Sequence, residues 1–404
     1  MKNRTFPGPS AALWLCPCRP FFLLTAAHAS IAMAWWLGNL AGLLALPELP
    51  GGSVVWHIHE MLFGFATAAL AGFLLTAVVE FTGTPPAPRQ TVQILLLLWA
   101  GGRLAYLLAG WLGVWPAALC DLAFLGLLMV KTGAPLWRDP QRRHLAFFHA
   151  LAALTASHAG FYLALARDGD AMAWLRLAIG LLMMLIVVAM SRISMRLVND
   201  VLEGQGGITA PYLARPPRRN LATFTIALYS LGEFLLPGNA AGGWLALAAA
   251  AAMLNLLNDW HVGRALGQRW VLVPYLVYWL IALGYGLIGS GRLAGENWQS
   301  AGHHLLLAGA MGLAILFVMA VAGRMHSGHG LDHRRWLPGA AALLIALGLL
   351  RAAAGLAAFA AAYLTLLNLA GLLWLLAWGI YLAYSWSALA GPRPDGGKGC
   401  DEAG

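Results

Sequence analysis

The chain has 404 residues, of which 60% are hydrophobic and only 10% charged, and its mean hydropathy is +0.72. These values exclude a soluble globular domain and place it among polytopic membrane proteins. Its formal charge of +9 would suit nucleic acid or anionic lipid, but the positive residues fall in alternate loops, which points to membrane topology and away from nucleic acid.

Residues 1–20 form a segment whose apolar core, ending at Cys16-Pro17-Cys18-Arg19-Pro20, is too short for a secretory signal. Four cysteines are too few and too scattered for a disulfide framework. A single Cys16-x-Cys18 pair is a weak soft-metal signal, so both are expected to be unpaired structural thiols. A membrane span needs ~20 apolar residues, and on that measure twelve runs are candidates, the seventh and eighth short or Gly-interrupted. The first four cover residues 21–46, 57–79, 92–110 and 114–130, and the next four 145–166, 171–190, 221–236 and 243–257. The last four cover 270–288, 301–322, 337–356 and 359–382, the final two divided only by a Gly-Ala-rich hinge, so that eleven spans are the alternative. The expected fold is all-α: a transmembrane bundle over residues 21–386, followed by a disordered tail over 387–404.

Lysine and arginine counts orient the bundle. One set of loops and termini holds twenty positive residues, from Lys2, Arg4 and Arg19 through Arg142 and Arg143 to Arg393 and Lys398. The opposite set holds only Arg167, Arg292 and Arg351. This asymmetry predicts twelve spans with both termini in the cytoplasm.

That topology places the chemistry. The second run opens Trp56-His57-Ile58-His59-Glu60-Met61-Leu62-Phe63-Gly64-Phe65, putting two histidines and a glutamate at its outer end, where polar side chains are costly and mark function. His303 and His304 open the tenth run at the same level, and His158 lies in the outer half of the fifth. A second, inward group holds His28, His144, His149, His326, His329 and His333. Imidazoles from two helices can hold haem iron, copper or zinc, so one of His57 or His59 is expected to pair with His304. Two residues apart on a helix, His57 and His59 point to nearly opposite sides. Both serve one site only if the helix proper begins near His59; otherwise one is a ligand and the other a supporting group, with Glu60 available to fix an imidazole tautomer. Buried hydrogen bonding to a neighbouring helix is the competing reading for His149 and His158. Arg103, inside the third run, needs a partner there: a haem propionate, Glu60 or Asp121. Arg324 closes the tenth run, where a cation suits the helix dipole and an anionic partner is the sharper reading. Arg176 is assigned to the membrane interface, as are the tryptophans at span ends.

The stretch His57–Phe65, with Gly72-Phe73-Leu74-Leu75-Thr76-Ala77-Val78 and Phe81-Thr82-Gly83 after it, resembles the signature of the NnrS family. Arg19-Pro20-Phe21-Phe22-Leu23, Gly101-Gly102-Arg103-Leu104-Ala105 and the segment from His304 through Gly309 and Gly312 to Arg324, Gly328 and His329 resemble further family motifs. The resemblance spans nearly the whole chain. It implies a bacterial inner-membrane protein of twelve spans, linked to the response to nitric oxide and binding haem b and copper. It carries over to His57, His59, Glu60, His304, Arg103, Arg324 and His329: cofactor binding by His57, His59, Glu60, Arg103, His304 and Arg324, with His57, His59, His304 and His329 as metal ligands. The chain departs from the family pattern at Gly328-His329-Gly330-Leu331-Asp332, lacks a proline after Ser191-Arg192, and has no histidine near Gly284-Tyr285.

The expected function is therefore a haem- and copper-binding protein that protects against nitrosative stress. Its ligand would be nitric oxide or a related nitrogen species, and its surroundings the lipid bilayer. A secondary transporter is the alternative from another class, disfavoured by the scarcity of carboxylates in mid-span. A metal-insertion factor for a respiratory oxidase or reductase, using Cys16, Cys18 and Cys400, is a third.

Overall fold

The computed structural model describes residues 12–140, 142, 144–204, 211–397 and 399–400; Lys2, Arg4, Arg143 and Lys398, counted above, lie outside them. The described residues form helices and no strand. Twelve long helices follow one another, here α1 to α12. They are α1 Cys18–Leu40, α2 Gly52–Thr82, α3 Arg89–Leu107, α4 Trp115–Arg138, α5 Leu145–Ala166 and α6 Ala171–Gly204. The remainder are α7 Pro216–Leu235, α8 Ala240–Leu257, α9 Arg269–Ala294, α10 Gln299–Met325, α11 Trp336–Ala354 and α12 Ala357–Ala390.

Ten of these helices are long and apolar enough to cross a membrane; α3 and α7 fall outside that group. α3 contains Arg89 and Arg103, and α7 contains Arg218, Arg219 and Glu233, which lowers their mean hydropathy. Large apolar side chains stand exposed around the helices, among them Leu97, Leu119, Trp244 and Leu364. Water would penalise such a surface and lipid would not, so the chain is a multi-pass membrane protein.

Helix α2 begins at Gly52, five residues before the expected start. Gly51 and Gly52 take positive φ, a left-handed turn that glycine adopts without a Cβ clash, and the helix runs on from there. His59 and Glu60 therefore lie about two turns inside the helix rather than at its mouth.

Within α2 the stretch Glu60–Ala66 is a π-helix, and so is Leu305–Met311 in α10. A π turn releases carbonyls from the usual i→i−4 pattern and often marks a functional site. Here Trp99 Nε1 donates to the Gly64 carbonyl at 3.0 Å, and His28 Nε2 lies 3.3 Å from the Glu60 carbonyl.

The chain divides into two compact units. The first holds α1 to α5 with residues 318–337 and 378–400. In it, α1 packs closely on α2: a Cβ on Gly72 would lie 2.8 Å from the Phe22 ring. The second unit holds residues 176–317 and 338–377. Its helices meet through small residues, the way membrane helices commonly associate. A Cβ on Gly348 would lie 2.9 Å from the Gly309 Cα, and one on Gly302 would lie 2.5 Å from the Gly284 carbonyl oxygen.

One expectation about the cysteines needs correction. Cys16 is not an unpaired thiol: it is disulfide-bonded to Cys400, 384 residues away, while Cys18 Sγ stands 3.5 Å from Cys16 Sγ. Of residues 387–404, assigned from the sequence to a disordered tail, 398 and 401–404 lie outside the described residues; α12 runs to Ala390, and the segment after it makes hydrogen bonds to the rest of the first unit. Arg393 is buried and donates to the His326 and Gly399 carbonyls, and buried Arg19 donates to the Leu389 and Gly391 carbonyls. Two buried guanidiniums need such acceptors, and backbone carbonyls supply them, the Ala12 carbonyl among them for Arg19.

The loop between α10 and α11 has its own anchor. Asp332 accepts from Arg334 Nη2 at 2.5 Å and from Trp336 Nε1 at 2.8 Å, with Arg324 Nη1 at 3.6 Å. The Arg334 hydrogen bonds, then the Trp336 indole and the Arg324 charge, hold this carboxyl well below the usual carboxylate range. A carboxylate whose folded pKa is depressed contributes stability above its unfolded value and loses it as pH falls through the folded one. The thermal midpoint of wild type should therefore exceed that of Asp332→Asn by a constant margin above about pH 5, shrinking as the pH falls through the acid range. A margin independent of pH would contradict this role.

Candidate functional site

Five helices of the first unit converge on one buried cluster. α2 supplies His59 and Glu60, α3 Arg103, α4 Asp121, α5 His158 and Tyr162, and α1 His28. His59 Nε2 and His158 Nε2 face each other at 2.9 Å. Asp121 Oδ2 lies 3.5 Å from His158 Nε2 and 3.8 Å from His59 Nε2. These three ligand atoms lie within 4.8 Å of one another, the only such group of three potential metal ligands among the described residues. All three side chains are at most 2% exposed.

Around this core the polar groups have assigned roles. Glu60 Oε1 stands 3.1 Å from His59 Nδ1. A carboxylate accepts, so it fixes the proton on Nδ1 and leaves the Nε2 lone pair of a neutral imidazole turned towards His158 and Asp121. Glu60 Oε2 is 3.2 Å from His28 Nε2. Arg103 bridges the two acids, with Nη2 2.5 Å from Asp121 Oδ2 and Nε 3.7 Å from Glu60 Oε2. Tyr162 donates to Asp121 Oδ2 at 2.6 Å. Aromatic rings close the site: Phe63 stacks on His158 at 3.6 Å, Phe161 on His59 at 4.8 Å, and Tyr106 lies 4.5 Å from His59.

Gly102 permits the link from α3 to α4. A Cβ there would lie 1.9 Å from Asp121 Oδ1, so alanine displaces the carboxylate from Arg103. We expect Gly102→Ala to destabilise the protein by about 1–3 kcal/mol, the usual cost of forcing volume into a packed interior, read as a lower thermal midpoint of the detergent-solubilised protein. An unchanged midpoint would contradict the packing.

Of the residues singled out in the sequence, His59, Glu60 and Arg103 are brought together, and Arg103 meets both of its suggested protein partners, Glu60 and Asp121. His57 points elsewhere, as the two-residue spacing requires, and stacks on Trp36 at 4.4 Å. His304 belongs to the second unit. Its Nδ1 donates to the Ser300 carbonyl at 2.7 Å and its Nε2 accepts from Arg351 at 2.8 Å, so both ring nitrogens are engaged. Arg324 donates to the Gly330 carbonyl and approaches Asp332. His329 lies in an arginine-rich setting: burial, then Arg324 and Arg19, lower its pKa.

The sequence does not single out His158 and Asp121 as ligands, and it puts His28 in the inward group. The level of His158 in the outer half of α5 was the one available signal. Its pairing with His59 is set by packing between α2 and α5, which local spacing does not encode.

The donor set can be tested against the groups the family resemblance implies. Tetrahedral bonds of about 2.0–2.1 Å separate two imidazole nitrogens by ~3.3 Å, so a pair at 2.9 Å opens by a few tenths of an ångström to admit one ion. His158 Nδ1 is buried without a hydrogen-bond partner, so the ring proton can sit on Nδ1 and leave the Nε2 lone pair for a metal. Two imidazoles and a carboxylate suit copper, zinc or iron(II). Haem does not fit between these two rings: its axial nitrogens stand ~4 Å apart across an open plane, and here the rings hydrogen-bond inside an aromatic cage.

Fold and cluster together define a multi-pass helical membrane protein with a buried histidine–carboxylate centre. The NnrS protein family model matches residues 12–393, nearly the whole chain, and the chain belongs to that family, with its link to the response to nitric oxide. No curated protein matches the sequence.

Proposed function

We propose that the chain is an inner-membrane protein of the nitric oxide response that holds a copper-type metal ion between His59, His158 and Asp121. The observation that carries this reading is the convergence of two imidazole nitrogens and a carboxylate in a water-excluded core. Charge supports it. With the histidines neutral, Glu60 and Asp121 outnumber Arg103 by one, and a buried uncompensated negative charge calls for a cation.

Each residue has a part. Glu60 orients His59 and keeps its Nε2 lone pair free of a proton. Tyr162 and Arg103 hold the Asp121 carboxylate on its Oδ2 side. Phe63, Phe161 and Tyr106 exclude water. When bound, the metal would supply a coordination position for a small ligand such as nitric oxide. The haem that the family resemblance implies would be held by other residues, and nothing in this reading passes through it.

The test is metal analysis of the full-length protein purified from cells grown with copper, iron and zinc. About one equivalent of a transition metal per chain is expected. Metal-free protein that also takes up neither copper nor zinc on reconstitution would overturn the reading.

A further inference from the structure

The second unit contains a polar recess that plays no part in the metal reading. α6, α7, α9 and α10 line a small, partly open recess. Its polar wall is formed by Arg176, Tyr229, Glu233, Tyr285 and His303.

Three features define what it accepts. The hydroxyls of Tyr229 and Tyr285 are buried and have no hydrogen-bond partner, although the side chains are only 5% and 1% exposed. An unsatisfied buried hydroxyl costs about 1–3 kcal/mol, so two facing one recess point to a group that occupies it. The acceptors of the wall, by contrast, are already used. Glu233 takes both terminal nitrogens of Arg292 and lies 3.5 Å from Gln299 Nε2. Finally, Arg176 has no carboxylate partner among the described residues, so the wall carries one uncompensated positive charge.

The local packing is built around this arrangement. A Cβ on Gly180 would lie 1.9 Å from Ser230 Oγ, so glycine lets α7 approach α6 closely enough to bring Tyr229 beside Arg176. A Cβ on Gly242 would lie 2.6 Å from Arg292 Nη1, so glycine likewise admits the Arg292–Glu233 pair that removes Glu233 from competition. The two tyrosine rings meet edge to face at 5.4 Å, and both residues line the recess.

We propose that this recess binds a small monovalent oxyanion, of the size of formate or nitrite, through the Arg176 guanidinium, the Tyr229 and Tyr285 hydroxyls and a ring N–H of His303. Arg176 supplies the charge; the hydroxyls supply direction. Apolar Ile179 and Leu306, with Gly180 and Ser230, complete the lining.

The experiment is a thermal-shift titration of the full-length protein in nanodiscs with sodium formate and sodium nitrite, and with sodium sulfate and sodium gluconate as ionic-strength controls. Formate or nitrite should raise the midpoint saturably, and sulfate and gluconate should not. Arg176→Gln should weaken the response at least tenfold. Tyr285→Phe, which keeps the ring packing, should weaken it severalfold, while Arg167→Gln should leave it unchanged. No saturable shift beyond gluconate, meaning water only, would overturn the proposal, as would a monodisperse Arg176→Gln or Tyr285→Phe protein with wild-type affinity. His59→Ala and His158→Ala should bind the anion normally, so failure of the metal reading is distinguishable from failure here.

Discussion

Arg103→Leu is expected to yield protein that unfolds or aggregates when extracted from the membrane. The guanidinium is 7% exposed and serves two acids that are themselves 3% and 2% exposed. Removing one partner of a buried ion pair costs about 3–5 kcal/mol, because the remaining charge is left buried and uncompensated. Here two carboxylates lose the same partner. Arg103→Lys keeps the charge but loses the planar fork that reaches Asp121 and Glu60 together, so its midpoint should fall between the two. Combining Arg103→Met with Glu60→Gln and Asp121→Asn removes the charges together and should recover most of the lost stability. Fluorescence-detected size exclusion after a heating series reads all three. An Arg103→Leu protein as heat-resistant as wild type would show that the acids do not depend on it.

The second large effect concerns the metal. His158→Ala removes one of the two facing nitrogens, and metal content should fall at least tenfold while His57→Ala leaves it unchanged. Glu60→Gln keeps the shape of Glu60 but loses the charge that sets the His59 tautomer. Loss of an orienting partner of this kind typically costs 10–100-fold in metal affinity. The contrast between His57 and His158 is the informative one. Both are histidines in the same unit, but His57 stacks on Trp36 while His158 points at His59. Equal losses from the two substitutions would place the metal elsewhere.

Much of the architecture was legible in the sequence because apolar runs of span length are a strong signal. The twelve long helices lie where those runs are, with edges that differ: α6 continues to Gly204, and α2 starts early at the Gly51-Gly52 turn. The His59–Glu60 contact and the alternatives for Arg103 were also readable, because each follows from spacing on one helix or from the cost of a charge in mid-span.

What stayed hidden is non-local. His28 and His158 reach the cluster through packing of α1 and α5 against α2, and starting α2 at His57 put Glu60 at the wrong depth to meet His28. Cys16 and Cys400 stand at the two ends of the chain, so spacing alone offered no reason to join them. Arg176 sits near a span end, where an interfacial position is the ordinary expectation. Only the approach of α7, α9 and α10 makes it the wall of a recess.

X-ray absorption spectroscopy of the copper-loaded, full-length protein tests the central assignment most directly. The expected spectrum shows two imidazole nitrogens and one oxygen at about 2.0–2.2 Å, with the imidazole signal reduced in both His59→Ala and His158→Ala. A sulfur-dominated shell, or a spectrum that those two substitutions leave unchanged, would contradict it.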